Sequence, residues 1–265
     1  MIPLSRFLNF AIVCLGLLSA SALAAEPEVP ATLMTRCGKL LVDETFEQVP
    51  PPYTGKPKGF ASGFAGWRYD MGKRAGTWKV SDGSLNGVET PGVMHPATAS
   101  IGVPFRNAVI ACEIQMEDVP LQGRRGRSIS VRAVDDKDYV CTVGIWPGGF
   151  HIQKDDNDHA GPDVNERLGL TKVSNPLGTW VPVVFEIYGD EMVGTVNGVS
   201  LTGRHPNIDR DKHSVMFVIS NEGRVRNVRI WEALPHPDWA ANKAKLPASL
   251  PPPMKSEQKE KSQTK

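Results

Sequence analysis

Two stretches of the chain gather side chains with chemical potential. In NAVIACEIQME (107–117), Glu113 and Glu117 stand four residues apart with Gln115 between them. In HIQKDDNDHAGPD (151–163), His151, Asp155, Asp156, Asn157, Asp158, His159 and Asp163 crowd between two apolar runs. Paired carboxyl groups suit glycoside hydrolysis, where one protonates the leaving oxygen and the other attacks or activates water. Glu113 and Glu117 are therefore the candidate catalytic residues. The second stretch is rich in oxygen donors and suits sugar hydroxyls, or calcium, a hard cation held by carboxylates and carbonyls. Trp146, His151, Asp155, Asp156, Asp158, His159 and Asp163 are the candidate ligand-binding set. Asp156 and Asp158 are the candidate calcium ligands, and no other cofactor is implied.

Spacing limits both readings. On a strand Glu113 and Glu117 share a face, with backbones about 13 Å apart. A retaining pair needs its carboxyls about 5–5.5 Å apart, so the strand must curve or the side chains lean together. The acid-rich loop does not match the helix-loop-helix calcium pattern. Counted from Asp156, the ligand position after Asp158 falls on Ala160, which has no side-chain oxygen, and Arg167 stands where a bidentate Glu belongs. Calcium would have to sit in an irregular rim loop. His151 and His159 lack a third ligand at zinc spacing. The rim has a purely structural reading as well, as a rigid polar turn closed by Gly161-Pro162.

Smaller features carry less. Trp146 begins a Trp-Pro-Gly-Gly turn and is the aromatic best placed for exposure, whereas Trp78, Trp180 and Trp231 lie in strand patterns and read as core. QGRRGR (122–127) is a basic loop fit for a sulfate or for solvent. Glu89 and His95 flank Pro91-Gly92, but nothing in their spacing brings them together. No serine elbow, Walker loop or dinucleotide fingerprint is present.

The elements that must position these residues are strands. In 109–117, Ile110, Cys112, Ile114 and Met116 alternate with Val109, Ala111, Glu113, Gln115 and Glu117, so one set faces a core and the other faces out. Asp82-Gly83, Gly189-Asp190 and Asn197-Gly198 mark tight turns, and 135–138 marks a polar one. SISVRAV, DYVCTVGIW, SVMFVIS and VRNVRIWEA read as further strands. No long 3.6-residue apolar repeat occurs. Many short alternating strands predict an all-β jelly-roll β-sandwich.

These segments, in this order, resemble secreted concanavalin A-like jelly rolls, and in particular the large family labelled 3-keto-disaccharide hydrolase, formerly a domain of unknown function. The resemblance rests on GTWKVSDGSL (76–85), GTWVPVVFEIYGDEMVGTVNGVSL (178–201) and GRVRNVRIWEA (223–233). The segment GFHIQKDDNDHAGPD is similar to a planctomycete-like branch. The likeness covers about 40–233. It departs at the opening, where a Pro/Gly-rich stretch precedes Trp67. Glu113-Ile114-Gln115-Met116-Glu117 also resembles the catalytic strand of family 16 glycoside hydrolases, with Gln115 in place of the central Asp. An amide cannot ionise to tune its neighbours.

The remaining bounds come from the chain as a whole. Arg6, an apolar run over 7–18 and Ala22-Leu23-Ala24 read as a signal peptide, 1–24, too short for an integral membrane anchor. Localisation is then secreted or periplasmic. The chain carries 30 basic and 29 acidic side chains, and losing Arg6 balances them. That excludes the strong basic excess of a nucleic-acid binder. Cys37, Cys112 and Cys141 remain, an odd number that excludes a disulfide scaffold, while a Cys112–Cys141 bridge stays open. The expected organisation is a lead-in over 25–36, a jelly-roll domain over 37–234 and a disordered Pro/Lys-rich tail over 235–265. The expected function is carbohydrate binding, on the Glu113–Glu117 face and the rim from Trp146 to Asp163. The alternative is hydrolysis of keto-disaccharides or glucans by paired carboxylates. Oligomeric state is left open.

Overall fold

A computed structural model describes residues 28–47, 60–62, 67–70, 76–93, 95–121, 126–135, 139–156 and 164–250. The expected signal peptide over 1–24, residues 136–138 of the polar turn, residues 122–125 of the basic loop, residues 157–163 with Asp158, His159 and Asp163, and residues 251–265 of the expected tail lie outside them.

Among the described residues sixteen strands run in chain order: β1 (Thr35–Glu44), β2 (Phe60–Ser62), β3 (Trp67–Asp70), β4 (Thr77–Ser81), β5 (Ser84–Val88), β6 (Ala97–Phe105), β7 (Ala108–Met116), β8 (Ser128–Asp135), β9 (Tyr139–Trp146), β10 (Gly149–Asp156), β11 (Val164–Thr171), β12 (Val181–Tyr188), β13 (Glu191–Val196), β14 (Val199–Arg204), β15 (Lys212–Ser220) and β16 (Glu222–Pro235). A short helix, α1 (Trp239–Lys243), follows. The strands form two antiparallel sheets. The first runs β14-β13-β12-β7-β16-β5-β4, with β1 also paired to β16. The second runs β11-β10-β9-β8-β15-β6-β3-β2.

The predicted alternation is what holds the layers together. Ile110, Cys112, Ile114 and Met116 of β7 are buried in one core with Val131 and Ala133 of β8, Val143 and Ile145 of β9, Phe150 and Ile152 of β10 and Phe217 of β15. Each Val, Ile, Met or Phe side chain among them contributes about 1.5–3 kcal/mol when it leaves water. Hairpin turns set the registers. Asp82 and Gly83 have φ of 54° and 63°, and Asn197 and Gly198 have φ of 48° and 78°, the paired positive values of a two-residue hairpin turn.

The first sheet is covered on part of its outer face. Val109, Trp231 and Ala233 form a second apolar cluster there, against Cys37, Leu40, Ala111, Val184 and Tyr188. Trp231 is thus buried outside the main core. Glu186 of β12 holds the segment Leu33–Thr35 over this patch, accepting from the backbone N–H groups of Leu33, Met34 and Thr35 at 2.7–2.9 Å and from the Thr35 hydroxyl at 2.8 Å.

The segment after Pro235 differs from the composition-based expectation of disorder as far as Leu250. Trp239 and Lys243 of α1 donate to Glu191, and Asn242 donates to the Leu33 carbonyl. Further on, the Leu250 N–H pairs with the Leu170 carbonyl at the edge of β11. Backbone and side-chain partners on the sandwich hold this segment in place. No helix among the described residues is long and apolar enough to cross a membrane.

Candidate functional site

The two candidate clusters lie on different sheets. Glu113 and Glu117 belong to the strand β7 region of the first sheet, and Trp146, His151, Asp155 and Asp156 belong to β9 and β10 of the second. Since Ile114 and Ile152 both face the core, the alternate residues of each strand face opposite outsides of the sandwich. The structure therefore corrects the expectation of one surface running from the Glu113 face to the Trp146 rim. Two face-packed sheets stand about 10 Å apart, and the core fills the space between.

On the first sheet the glutamates are committed to arginines. Arg226 meets Glu113 with two nitrogens, at 2.8 and 3.0 Å, and Asn227 donates a third bond at 2.7 Å. Asn227 has φ of 52° at an irregularity in the β16–β7 pairing, which aims its amide at this carboxylate. The Arg226 bond, with help from Asn227, holds the Glu113 carboxyl below its usual range in spite of partial burial. Arg224 pairs with Glu117 at 2.5 Å, and Gln115 donates to it at 3.4 Å. Arg226 also lies 4.2 Å from the Trp180 ring centroid, so Trp180 stands outside the core, half-buried, contrary to its strand-like sequence context. A carboxylate kept ionised in this way is a poor proton donor.

The outer face of the second sheet is different in kind. Pairing registers place Ser100, Met216, Arg132, Thr142, Gln153 and Arg167 in one row across β6, β15, β8, β9, β10 and β11. The adjacent row holds Thr98, Val218, Ser130, Gly144 and His151. Asp155 is buried at 4 % exposure and accepts from Gln153 at 2.5 Å and from Thr142 at 3.4 Å. Arg132 has no hydrogen bond or ion pair among the described residues, and its Nε is buried without a partner. The Thr98 hydroxyl is likewise buried and unpartnered. Burial lowers the Arg132 pKa, and Asp155 opposes that shift.

At one end of this face the β9–β10 turn is rigid. Asn175, fully buried, donates through Nδ2 to the Trp146 and Gly149 carbonyls, and through its backbone N–H to the Pro147 carbonyl. The Trp146 ring is held 5.7 Å from the His151 ring, tilted by 32°. Burial, then Arg167 and Arg132, push the His151 pKa down to about 4, so the imidazole is neutral at pH 7.

The second-sheet face thus joins Trp146, His151 and Asp155. It adds Arg132, Thr142, Gln153 and Arg167, which sequence reasoning missed. The available signal was the alternation in SISVRAVD, where Ser130 and Arg132 share the face opposite Ile129, Val131 and Ala133. Asp156 lies at the end of β10, and its proposed calcium partner Asp158 lies outside the described residues. Among the described residues no three His, Cys, Asp or Glu side chains cluster as a metal site. Elsewhere Glu89 accepts from the Asn221 N–H at 2.9 Å, while His95 meets the Pro96 carbonyl, so that pair is not joined. Cys37, Cys112 and Cys141 are free thiols.

No family model matches the chain, and no curated protein is similar to it in sequence at a significant level. Solved structures are similar in fold. A protein of unknown function with a galectin-like fold from Bacillus subtilis aligns at 9% identity with a TM-score of 0.54, covering 77% of this chain and 100% of that one. LamA from Z. galactanivorans, solved as a variant in complex with laminaritriose and laminaritetraose, aligns at 11% identity with a TM-score of 0.50, covering 74% and 100%. The chain is an all-β sandwich of the galectin- and concanavalin-like jelly-roll class. At these identities the likeness shows the fold alone.

Proposed function

We propose that this chain is an exported carbohydrate-binding jelly roll whose sugar lies on the outer face of the second sheet, along Arg132, Thr142, Gln153 and Asp155 and up to Trp146. The observation that carries this is Arg132. A half-buried guanidinium without a hydrogen bond costs free energy unless a ligand supplies acceptors. Beside it lie a hydroxyl, an amide and a carboxylate, and the aromatic ring of Trp146 stands at the far end of β9, the groups that meet sugar hydroxyls and sugar faces. LamA, of the same fold, is solved with laminaritriose and laminaritetraose, which supports a glycan as the ligand class. In this reading 1–24 is a cleaved leader, 37–234 is the binding domain, and the protein acts outside the cytoplasm.

Hydrolysis is the second reading, drawn from the resemblance to the 3-keto-disaccharide hydrolase family. The Glu113–Glu117 pair gives it little support, because both carboxylates are tied to arginines. Turnover would have to use the Asp155 face. A glycan array with the processed protein, with and without chelator, tests binding and calcium dependence together. Reducing-end release from the bound glycans tests cleavage. Binding without product, lost in Arg132→Gln, supports the module. An array silent under both conditions overturns it.

A further inference from the structure

We propose, resting on the sugar-binding reading above, that the second-sheet face takes an acidic glycan, with a carboxylate or sulfate docking at Arg132 and Arg167. The arginines of the two sheets make the contrast. On the first sheet Arg226, Arg224 and Arg229 each have a carboxylate partner, Glu113, Glu117 and Asp43. On the second, Arg132 and Arg167 have none among the described residues. Asp155, the acid beside them, already has an oxygen engaged by Gln153 and the other by Thr142. The face therefore holds more cationic than anionic capacity. The two arginines belong to β8 and β11, three strand spacings apart, so their backbones are about 14 Å from each other. An oligosaccharide spans that distance, and acidic groups on separate sugar units would meet separate guanidinium groups.

Chemistry selects the oxyanion over a neutral hydroxyl. A guanidinium is a planar fork of N–H donors that matches carboxylate or sulfate with two parallel bonds, and such charge-assisted bonds are about twice as strong as neutral ones. The field is already visible at His151, where the two arginines add to burial in keeping the imidazole uncharged. Thr98, with its unpartnered hydroxyl, lies in the next row and offers a donor to the same ligand.

The test is calorimetric titration of the purified protein with galacturonate, glucuronate, mannuronate and sulfated galactose oligomers. Each is paired with its carboxyl-reduced or desulfated counterpart, and backbone amide shifts map the contact. An acidic oligomer should bind about tenfold or more tightly than its neutral partner, and more weakly in added salt. Arg132→Gln and the exposed Arg167→Gln should each remove most of that preference while melting temperature is kept. Loss on carboxyl reduction identifies a uronate, and loss on desulfation a sulfated sugar. If neutral and acidic oligomers bind equally and shift β8–β10 amides, the acidic class is overturned and the binding reading stands. If no oligomer shifts those amides, both are overturned.

Discussion

Gly144 and His151 face each other across the β9–β10 hairpin, and the imidazole fills the space where a side chain on residue 144 would begin. A Cβ there would lie 2.5 Å from His151 Cε1 and 2.6 Å from Nε2. Gly144→Ala must therefore displace the ring from its place beside Trp146. The expected cost is about 1–2 kcal/mol, from overpacking and the lost ring contact. Glycan affinity should fall as well, because the displaced ring disturbs one end of the binding face. Urea unfolding and the His151 ring resonances check this. An unmoved imidazole in the variant would contradict it.

The same histidine sets an acid limit on stability. Its folded pKa is about 4 against an ordinary 6.5, so the unfolded chain binds the proton more readily. Stability from keeping the ring neutral is whole above pH 6.5. It declines as pH falls and is lost through about pH 4, amounting to about 3 kcal/mol in full. Unfolding free energies between pH 7 and pH 4 should fall along this course, and His151→Gln should flatten it. Persistence of the full slope in that variant would assign it to other groups.

Much of the architecture could be read from side-chain alternation and turn chemistry. Ile110, Cys112, Ile114 and Met116 face the core because a strand repeats every two residues, and Asp82-Gly83 and Asn197-Gly198 turn because their backbones accept positive φ. Which sheet a strand joins is not local information. β7 pairs with β12 and β16, both far along the chain, whereas β10 pairs with its neighbours β9 and β11. Glu113 and His151 could therefore be assigned one surface from sequence, although the fold places them on opposite sides. Trp180 read as core because it leads an apolar strand, yet its ring lies against Arg226. Sequence alone does not single out Arg132, because one arginine in an alternating strand looks like any solvent-facing residue. Its lack of a hydrogen-bond partner among the described residues appears only once neighbouring strands are in place.

The Glu113–Arg226 pair separates a structural role from a sugar contact. Glu113→Gln keeps the Asn227 neighbour but loses the charged, two-point contact with Arg226. For a pair about a third exposed the expected cost is about 1 kcal/mol. Because Glu113 is held below its usual pKa, the contribution is present above the ordinary carboxyl value of 4.5 and is lost as pH falls through the folded value. Glycan binding should be unchanged, since this residue is on the far sheet. Denaturation and titration of one variant preparation check both points, and a loss of affinity without a loss of stability would move the site to the first sheet.

Glu186 makes the strongest prediction about the segment that leads into β1. Its carboxylate, fully buried, accepts three backbone N–H groups and the Thr35 hydroxyl. Glu186→Ala leaves those donors without their acceptor and opens space beside the apolar patch of Val109 and Trp231. Buried donors left unpaired cost about 1–3 kcal/mol each if the backbone cannot move. The segment from Leu33 to Thr35 can instead peel away into water, which caps the global cost at about 3 kcal/mol. Limited proteolysis should then cut near residues 30–35 in the variant well before the rest of the sandwich. The loosening should extend to α1, because Asn242 bonds the Leu33 carbonyl. Hydrogen exchange should accordingly quicken at Leu33–Thr35 and in α1, and stay slow in β8–β10. Equal protection of Leu33–Thr35 in the variant and the parent would show that β1 pairing alone holds the segment.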